Sequence, residues 1–387
     1  MLREKINKKR IGSHIHELLK SWNSKDNDID EIDLMKVAHS SINKGYYENK
    51  PIQRVIFYLR SKGCEWSMSK NGGCYMCGHY FGTTKGKELP KNAFFNQFYE
   101  EYKKYDFKNI PMVCIYNAGS ILNNNEIPNE ELFKILEIIK DNHYIKSVII
   151  ESRPEFINDN ILSVLKYILK GKTIEIGIGL ETADDSIRDL CINKGFSFKD
   201  YKNASEKLRS NNIHVLTYLT IKPLFLTIKE SIRDVINNLI LLENYTDVVS
   251  LEPISIQNGT LVQYMYKNGY YILPKGWMIK EIFQELNFKK IDFPYELRLG
   301  GFEFFPIPDI FIGNCEICNE NLYKAIDCYN TTKNVDSILN LNCKCFNDYK
   351  EFLNKEEQDN NENDIEERIS LTLAKMVLNE NTKWRIN

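Results

Sequence analysis

The sequence predicts an α/β fold in which six β-strands run parallel, each followed by a helix, as a complete doubly wound sheet or an incomplete barrel. Three observations predict it. Apolar, β-rich runs alternate six times with amphipathic segments, the rhythm of a parallel sheet. The runs are almost wholly apolar, as strands covered on both faces must be. Several amphipathic segments also open on a residue able to cap a helix, namely Asn129, Asn158, Ser197 and Thr227.

In chain order, residues 1–50 read as a helical N-terminal extension. Ile29–Ile42 places Ile32, Leu34, Met35 and Val37 on one side behind leading acids, the pattern of a helix packed outside a domain. Residues 51–256 form the partial barrel or sheet. Its strand runs are RVIFYLR (54–60), PMVCIYNAG (111–119), KSVIIES (146–152), IEIGIGLET (174–182), IHVLTYLTIKP (213–223) and TDVVSLEPISI (246–256). The intervening helices are expected over Asn92–Tyr105, Asn129–Asn142, Asn158–Leu169, Ser197–Ser210 and Thr227–Leu242. Residues 257–349 are a C-terminal extension, in which Phe293–Gly301 suggests turns and a short antiparallel addition. Residues 350–387 are a charged linker or solvated helix followed by a terminal helix containing ISLTLAKMVL.

With 43% hydrophobic and 27% charged residues in a chain of 387, the composition is that of a globular enzyme. No window of about 18 apolar residues exists, so no membrane span is expected. The basic N-terminus is not followed by an apolar signal core, which predicts a cytoplasmic protein. A formal net charge of −2 gives no support to a nonspecific nucleic-acid binder. In a reducing compartment, ten cysteines read as metal or redox chemistry rather than disulfides. Eight of them fall in two clusters, three at 64–77 and five at 315–345, while Cys114 and Cys191 read as small buried hydrophobes.

The first cluster, Cys64, Cys74 and Cys77, is spaced C-x9-C-x2-C on a loop of glycine, serine, asparagine and lysine after the first strand run. Ligands in such sheets bind at the carboxyl ends of the strands. Polar residues gather at those ends: Asn117–Ser120, Glu151 and Arg153, Glu181, Lys222 and Glu252, with Gly177 and Gly179 inside the fourth run. Three thiolates are too few for closed structural zinc, which takes four ligands. On a [4Fe–4S] cluster they leave one iron open to an amine and carboxylate, such as the methionine end of S-adenosylmethionine (SAM). The competing reading is a zinc knuckle with His79 as fourth ligand. Glu151 and Arg153 could equally be a buried ion pair, and the glycines sheet-packing residues.

The cysteine loop followed by six strand–helix units resembles the radical SAM superfamily, and the nine-residue spacing resembles its Elongator-catalytic-subunit-like branch. The segments RVIFYLRSKGCEW, GGCYMCGHY, NAGSILNNNEIP, ESRPEFI, EIGIGLETADDSIRDLCINKGFSFKDY, GNCEIC and NCKC resemble, more closely, the radical SAM subunits of archaeosine synthases. This implies a partial (β/α)6 TIM-like barrel, with Cys64, Cys74 and Cys77 ligating the cluster. Met76 takes the place where the superfamily usually has an aromatic near adenine. Gly119 and Ser120 fall where the SAM amino group is contacted, although a glutamate usual there is missing. Glu151 and Arg153 fall at ribose and carboxylate, Gly177 and Gly179 at adenine, and Glu181 at SAM or substrate. The implied substrate is a lysine-adducted 7-deazaguanine in tRNA, cleaved at a C–N bond to leave an amidine. The implied partners are a reductant protein such as flavodoxin or ferredoxin and an enzyme supplying the lysine adduct.

In the second cluster, Cys315, Cys318, Cys343 and Cys345 supply the four thiolates of closed tetrahedral zinc, leaving Cys328 spare. An auxiliary iron–sulfur cluster or unmetallated cysteines are the alternatives. Asn193–Gly195 reads either as a substrate contact or as a helix C-cap turn, and Tyr264–Trp277 as core rather than a base-stacking surface. Two rival functions stay open. One is a radical SAM enzyme of the same scaffold acting on a peptide or small molecule, and the other a non-catalytic zinc-dependent binding module.

Overall fold

The computed structural model describes residues 34–47, 50–300, 305–360 and 364–383. Eight strands form one sheet in the order β1 to β8: His39–Tyr47, Lys50–Tyr58, Met112–Tyr116, Ser147–Glu151, Thr173–Glu181, His214–Ile221, Val248–Pro253 and Glu296–Leu299. β1 pairs antiparallel with β2, and every later pair is parallel. A doubly wound sheet reverses its strand order at a switch point. Here each strand lies beside its predecessor throughout, so the sheet curls as an incomplete barrel.

The helices that matter for packing are α1 (Ala93–Tyr102), α2 (Asn129–Asp141), α3 (Asp159–Ile168), α4 (Phe198–Ser210), α5 (Ile228–Leu241), α6 (Leu261–Lys267) and α7 (Gly276–Lys289). They are followed by α8 (Asn319–Thr332), α9 (Cys345–Asn360) and α10 (Ile365–Lys383). Strand side chains alternate between two environments. Val55, Phe57, Val113, Ile115, Val148, Ile150 and Ile176 pack outward against Leu132, Ile135, Leu136, Leu162 and Leu165 of α2 and α3 in the main core. Ile56, Met112, Cys114, Ile149, Leu216 and Val248 form a smaller inner cluster on the concave face. That alternation is why the runs read as apolar throughout.

Two expectations are corrected. The helix expected over Ile29–Ile42 is β1 from His39 onward, and residues 1–33 of the expected helical extension lie outside the described residues. Nine residue pairs with β2, from His39↔Tyr58 to Tyr47↔Lys50, outweigh the local periodicity. The expected antiparallel addition at Phe293–Gly301 is β8, parallel to β7 with α7 as crossover, and Gly301 lies outside the described residues.

Of the expected caps, Ser197 and Thr227 each close a full capping box, and Asn158 accepts from the Ile161 N–H. Asn129 does not cap α2. Pro128 holds the cap position, and the Asn129 N–H donates to Asn124 Oδ1 at 2.9 Å. Ile369, Leu373 and Met376 of α10 dock against a cluster that includes Cys191, Leu224 and Leu261. Among the described residues, no helix is long and apolar enough to cross a membrane.

Candidate active site

A cavity of about 700 Å³ opens at the carboxyl ends of the parallel strands and runs down the concave face. Cys64, Cys74, Cys77, Met76, Gly119, Glu151, Arg153, Gly177, Gly179 and Glu181 all line it. Ser120 does not. It is fully buried behind the wall, its N–H given to Glu126 and its hydroxyl oxygen accepting from the Arg153 N–H.

The cysteine loop is held from outside. Cys64 precedes a helical turn, Glu65–Met68, and a turn joins Cys77 N–H to the Cys74 carbonyl. The Trp66 indole donates to the Asn193 carbonyl at 2.7 Å, Asn193 Nδ2 donates to the Gly73 carbonyl, and Tyr75 N–H reaches the Ile192 carbonyl. Gly195, at φ +78, lies against the Trp66 ring, where any Cβ would overlap it. The Asn193–Gly195 turn is a helix-ending turn, with Asn193 itself left-handed at φ +59. It ends the helical turns over residues 185–192, and it carries Lys194 into the cavity.

Burial pushes the three thiols above the ordinary cysteine range, Cys64 to about 11 and Cys77 to about 12. Thiolates here need a positive group between them. With His79 the three form no set whose ligand atoms all lie within 4.8 Å of one another, among the described residues. His79 Nδ1 instead meets the Phe305 carbonyl oxygen at 2.9 Å. A single-ion knuckle is disfavoured by that spread.

Glu126 is the residue sequence reasoning missed. Only 2% exposed, it accepts from the N–H groups of Glu65 (2.9 Å) and Ser120 (2.6 Å) and from the amides of Asn117 and Asn123. Burial raises its carboxyl pKa against those four bonds. A Cβ on Gly119 would strike its Oε2, so the glycine makes room for this carboxylate as well as bordering the cavity. A glutamate thus does serve the third strand's end, but from six residues downstream of Ser120, where no local motif marks it.

Deeper in the cavity, Glu181 joins Lys194 at 2.7 Å and accepts from Thr220 Oγ1 at 2.5 Å. Glu181 sits at a β-bulge with φ +67, a costly conformation for a non-glycine residue and of a kind that clusters at functional sites. Burial works against the charge on Lys194, yet Glu181 beside it holds its pKa above the usual lysine value. Glu151 and Arg153 are not an ion pair. Glu151 accepts from Tyr218 OH at 2.8 Å, while Arg153 donates to Glu155 and to the Lys194 carbonyl between the rings of Trp66 and Phe196. Gly177 leaves the space that Tyr218 and Glu151 occupy. Glu252, which accepts from Ser250 Oγ at 2.6 Å, completes a set of three inward carboxylates, and burial raises both Glu151 and Glu252 to about 7. Such a cavity suits a ligand carrying positive charge and a carboxylate, which Arg153 and Lys194 are placed to meet.

The second cysteine group is compact. Cys315–Cys318 sulfurs are 3.5 Å apart, and Cys315–Cys343 and Cys318–Cys345 are 3.7 Å apart. All four thiols lie within 4.8 Å of one another, a set that could hold a metal ion. Tetrahedral Zn–S bonds of about 2.3 Å would place sulfurs about 3.8 Å apart. Cys328 is exposed on α8 and stands outside the group.

No protein-family model matches the chain. Curated relatives do. The chain is 30% identical to archaeosine synthase subunit beta of Methanosarcina acetivorans over 304 residues, 78% of this chain and 85% of that protein. It is 32% identical to archaeosine synthase subunit beta of Thermococcus kodakarensis over 234 residues, 60% of this chain and 72% of that protein. Among solved structures, the archaeal Elp3 of Methanocaldococcus infernus superposes with a TM-score of 0.43 at 17% identity, covering 62% of this chain and 58% of that one. On its sequence relatives, with the cysteine loop and strand-end residues in one cavity, the chain belongs to the archaeosine synthase subunit beta family of radical SAM enzymes.

Proposed function

We propose that this radical SAM enzyme modifies tRNA in the manner of an archaeosine synthase, cleaving a C–N bond of a lysine-adducted 7-deazaguanine to leave an amidine. The observation that carries the reading is one cavity holding three spread thiols, the Glu181–Lys194 pair and the inward carboxylates Glu151 and Glu252, each hydrogen-bonded to a hydroxyl. Cys64, Cys74 and Cys77 would hold a [4Fe–4S] cluster, and Cys315, Cys318, Cys343 and Cys345 a zinc ion. Bound together, the cluster and SAM supply one-electron cleavage of a sulfonium C–S bond and a carbon radical able to take hydrogen from a substrate C–H bond.

The chain's own residues would do the positioning. Met76, Gly177 and Gly179 line the cavity, the glycines leaving the room that Glu151, Tyr218, Glu181 and Lys194 take up, and Arg153 and Lys194 offer cations to a carboxylate. Glu181 and Glu151 offer acceptors to hydroxyl and ammonium groups. Trp66, Phe196, Tyr116 and Tyr218 line the same cavity and would limit the water that reaches a bound substrate. A reductant protein such as flavodoxin or ferredoxin would supply the electron, and a partner enzyme the lysine adduct.

Anaerobic reconstitution tests this. The wild type is expected to carry about four irons per chain and to form 5′-deoxyadenosine, with an amidine appearing in adduct-bearing tRNA. Cys77→Ala should abolish 5′-deoxyadenosine formation, and intact formation in that variant would sink the cluster assignment. Turnover on a peptide or small molecule with none on tRNA would replace the substrate reading while leaving the cluster chemistry in place.

A further inference from the structure

The sheet has two edges, and the cavity is open along the seam between them. Strands β1 and β8 lie at opposite ends of the order and do not pair. An exposed edge offers unpaired N–H and C=O groups that must be satisfied. On β8 they are met by a helix. Asn330 of α8 accepts from the Leu299 N–H at 2.9 Å and donates to the Leu299 carbonyl at 2.7 Å, as a neighbouring strand would. Tyr329 OH and Lys333 Nζ both donate to the Leu297 carbonyl. At the other edge, Asp327 takes both oxygens to Lys44 of β1 at 2.9 Å. Helix α8 therefore spans the seam that strands leave open.

One face of α8 borders the cavity. Tyr323, Ile326, Asp327 and Asn330 line it, at the spacing i, i+3, i+4, i+7 of a single helical stripe. Their polar groups are already engaged: Tyr323 OH with the Ile312 carbonyl, Asp327 with Lys44, and Asn330 with Leu299. What the stripe offers inward is shape and apolar surface. It lines the same cavity as Ser250 and Glu252 of β7 and Arg298 of β8, the edge strand that α8 covers. The other side of α8 is buried through Leu322, which presses on Gly276 at the start of α7.

The second cysteine group sits at the root of this helix. Cys318 is the residue capping α8, and Cys345 is the first residue of α9. Cys315 and Cys343 join them in the compact four-thiol set. Asn314 ties the same turn to α7 by accepting from the Trp277 N–H at 3.0 Å.

We propose that α8 is the substrate-side wall of the cavity, and that a metal ion on Cys315, Cys318, Cys343 and Cys345 fixes it there, so that metal occupancy sets substrate affinity apart from SAM cleavage. The proposal rests on the functional reading above for the identity of the substrate, but not for the position of the wall. Tyr323, Ile326, Asp327 and Asn330 are then specificity residues, and the four cysteines are positioning residues that act through them.

The test compares the reconstituted wild type with Cys343→Ser and with Asp327→Ala, which keeps all four thiols and guards against a misfolded cysteine variant. Zinc and iron content, amide hydrogen exchange, and 5′-deoxyadenosine formation with and without adduct-bearing tRNA are measured on each. Cys343→Ser should lose zinc and keep iron. Its exchange over Leu297–Gly300 should rise about tenfold while Ser147–Glu151 stays protected, because only the seam loses its partner. Its KM for tRNA should rise about tenfold, with kcat changed far less, the signature of lost ground-state contact. Asp327→Ala should keep zinc and raise KM about threefold, since only the latch to Lys44 is gone. Zinc-free Cys343→Ser with unchanged exchange at Leu299 overturns the proposal, and so does faster exchange with an unchanged KM. A wild type that forms no 5′-deoxyadenosine instead sinks the functional reading, and the exchange measurement still decides where the metal holds α8.

Discussion

Glu126 shows how much of a site can hang on one carboxylate outside any motif. It gathers the N–H of Glu65, beside Cys64, and the N–H of Ser120, at the end of β3, onto two oxygens. Removing it leaves the buried Ser120 N–H and the part-buried Glu65 N–H without their acceptor, at up to about 1–3 kcal/mol each. Glu126→Ala is therefore expected to lose about 2–5 kcal/mol in urea unfolding and to reconstitute with less iron than the wild type. Glu126→Gln can keep one acceptor oxygen and should fall between them. Full iron content in Glu126→Ala would show that the cysteine loop is shaped without it. Lys194 and Glu181 raise a different point. A buried ion pair is poor evidence for stability, because desolvation offsets most of the attraction. At 14% and 10% side-chain exposure, this pair lines the cavity rather than bracing the core.

Among the elements, the helices between the parallel strands were the most legible part of the chain and the sheet edges the least. Ser197 was readable as a cap because Asp200 follows three residues later, and both halves of the capping box form. Ser197→Ala should cost about 1 kcal/mol, and Thr227→Ala a similar amount, each seen as a lower melting temperature with no loss of iron. A loss several times larger would mean that the serine supports more than the helix end. The six apolar strand runs were equally plain, since both faces of each strand are covered. β1 and β8 were not. HSSINKGYY and ELRL are short of continuous apolar residues because each lies at an edge of the sheet, where pairing rather than burial decides the conformation. For the same reason the strand–helix rhythm alone left the choice between a doubly wound sheet and a barrel open, since strand order is a long-range property, and it was the family resemblance of the motifs that pointed to the barrel. The site divides similarly. Residues sitting on strand ends, such as Glu151, Glu181 and Glu252, could be found from the runs that carry them. Tyr218 and the stripe on α8 reach the cavity through tertiary packing, Glu126 shapes its wall from behind Gly119, and no local signal marks them.

The whole molecule keeps three carboxylates facing one cavity, and its stability should report that. Burial raises Glu252, and Glu181 and Glu151 nearby push in the same direction, to about 7, while the hydrogen bond from Ser250 opposes them. Glu151 is raised to about 7 by burial as well, with Tyr218 opposing. For a carboxyl whose folded pKa lies above its unfolded value, the folded state holds the proton longer. Its contribution to stability is complete below the unfolded pKa of about 4.3 and is lost as pH rises through 7. The ligand-free protein should therefore become less stable between about pH 5 and pH 8, opposite to the usual effect of a salt-bridged carboxylate. Glu252→Gln removes one of the charges that must be buried. It should match the wild type near pH 5 and exceed it by about 1–3 kcal/mol near pH 8 in urea unfolding. A cationic ligand in the cavity should flatten the wild-type slope in the same way, because it adds counter-charge to that of Arg54 and Lys194. Equal pH slopes in wild type and Glu252→Gln would show that the carboxylate is already compensated within the fold, and that the cavity holds no charge in reserve for a ligand.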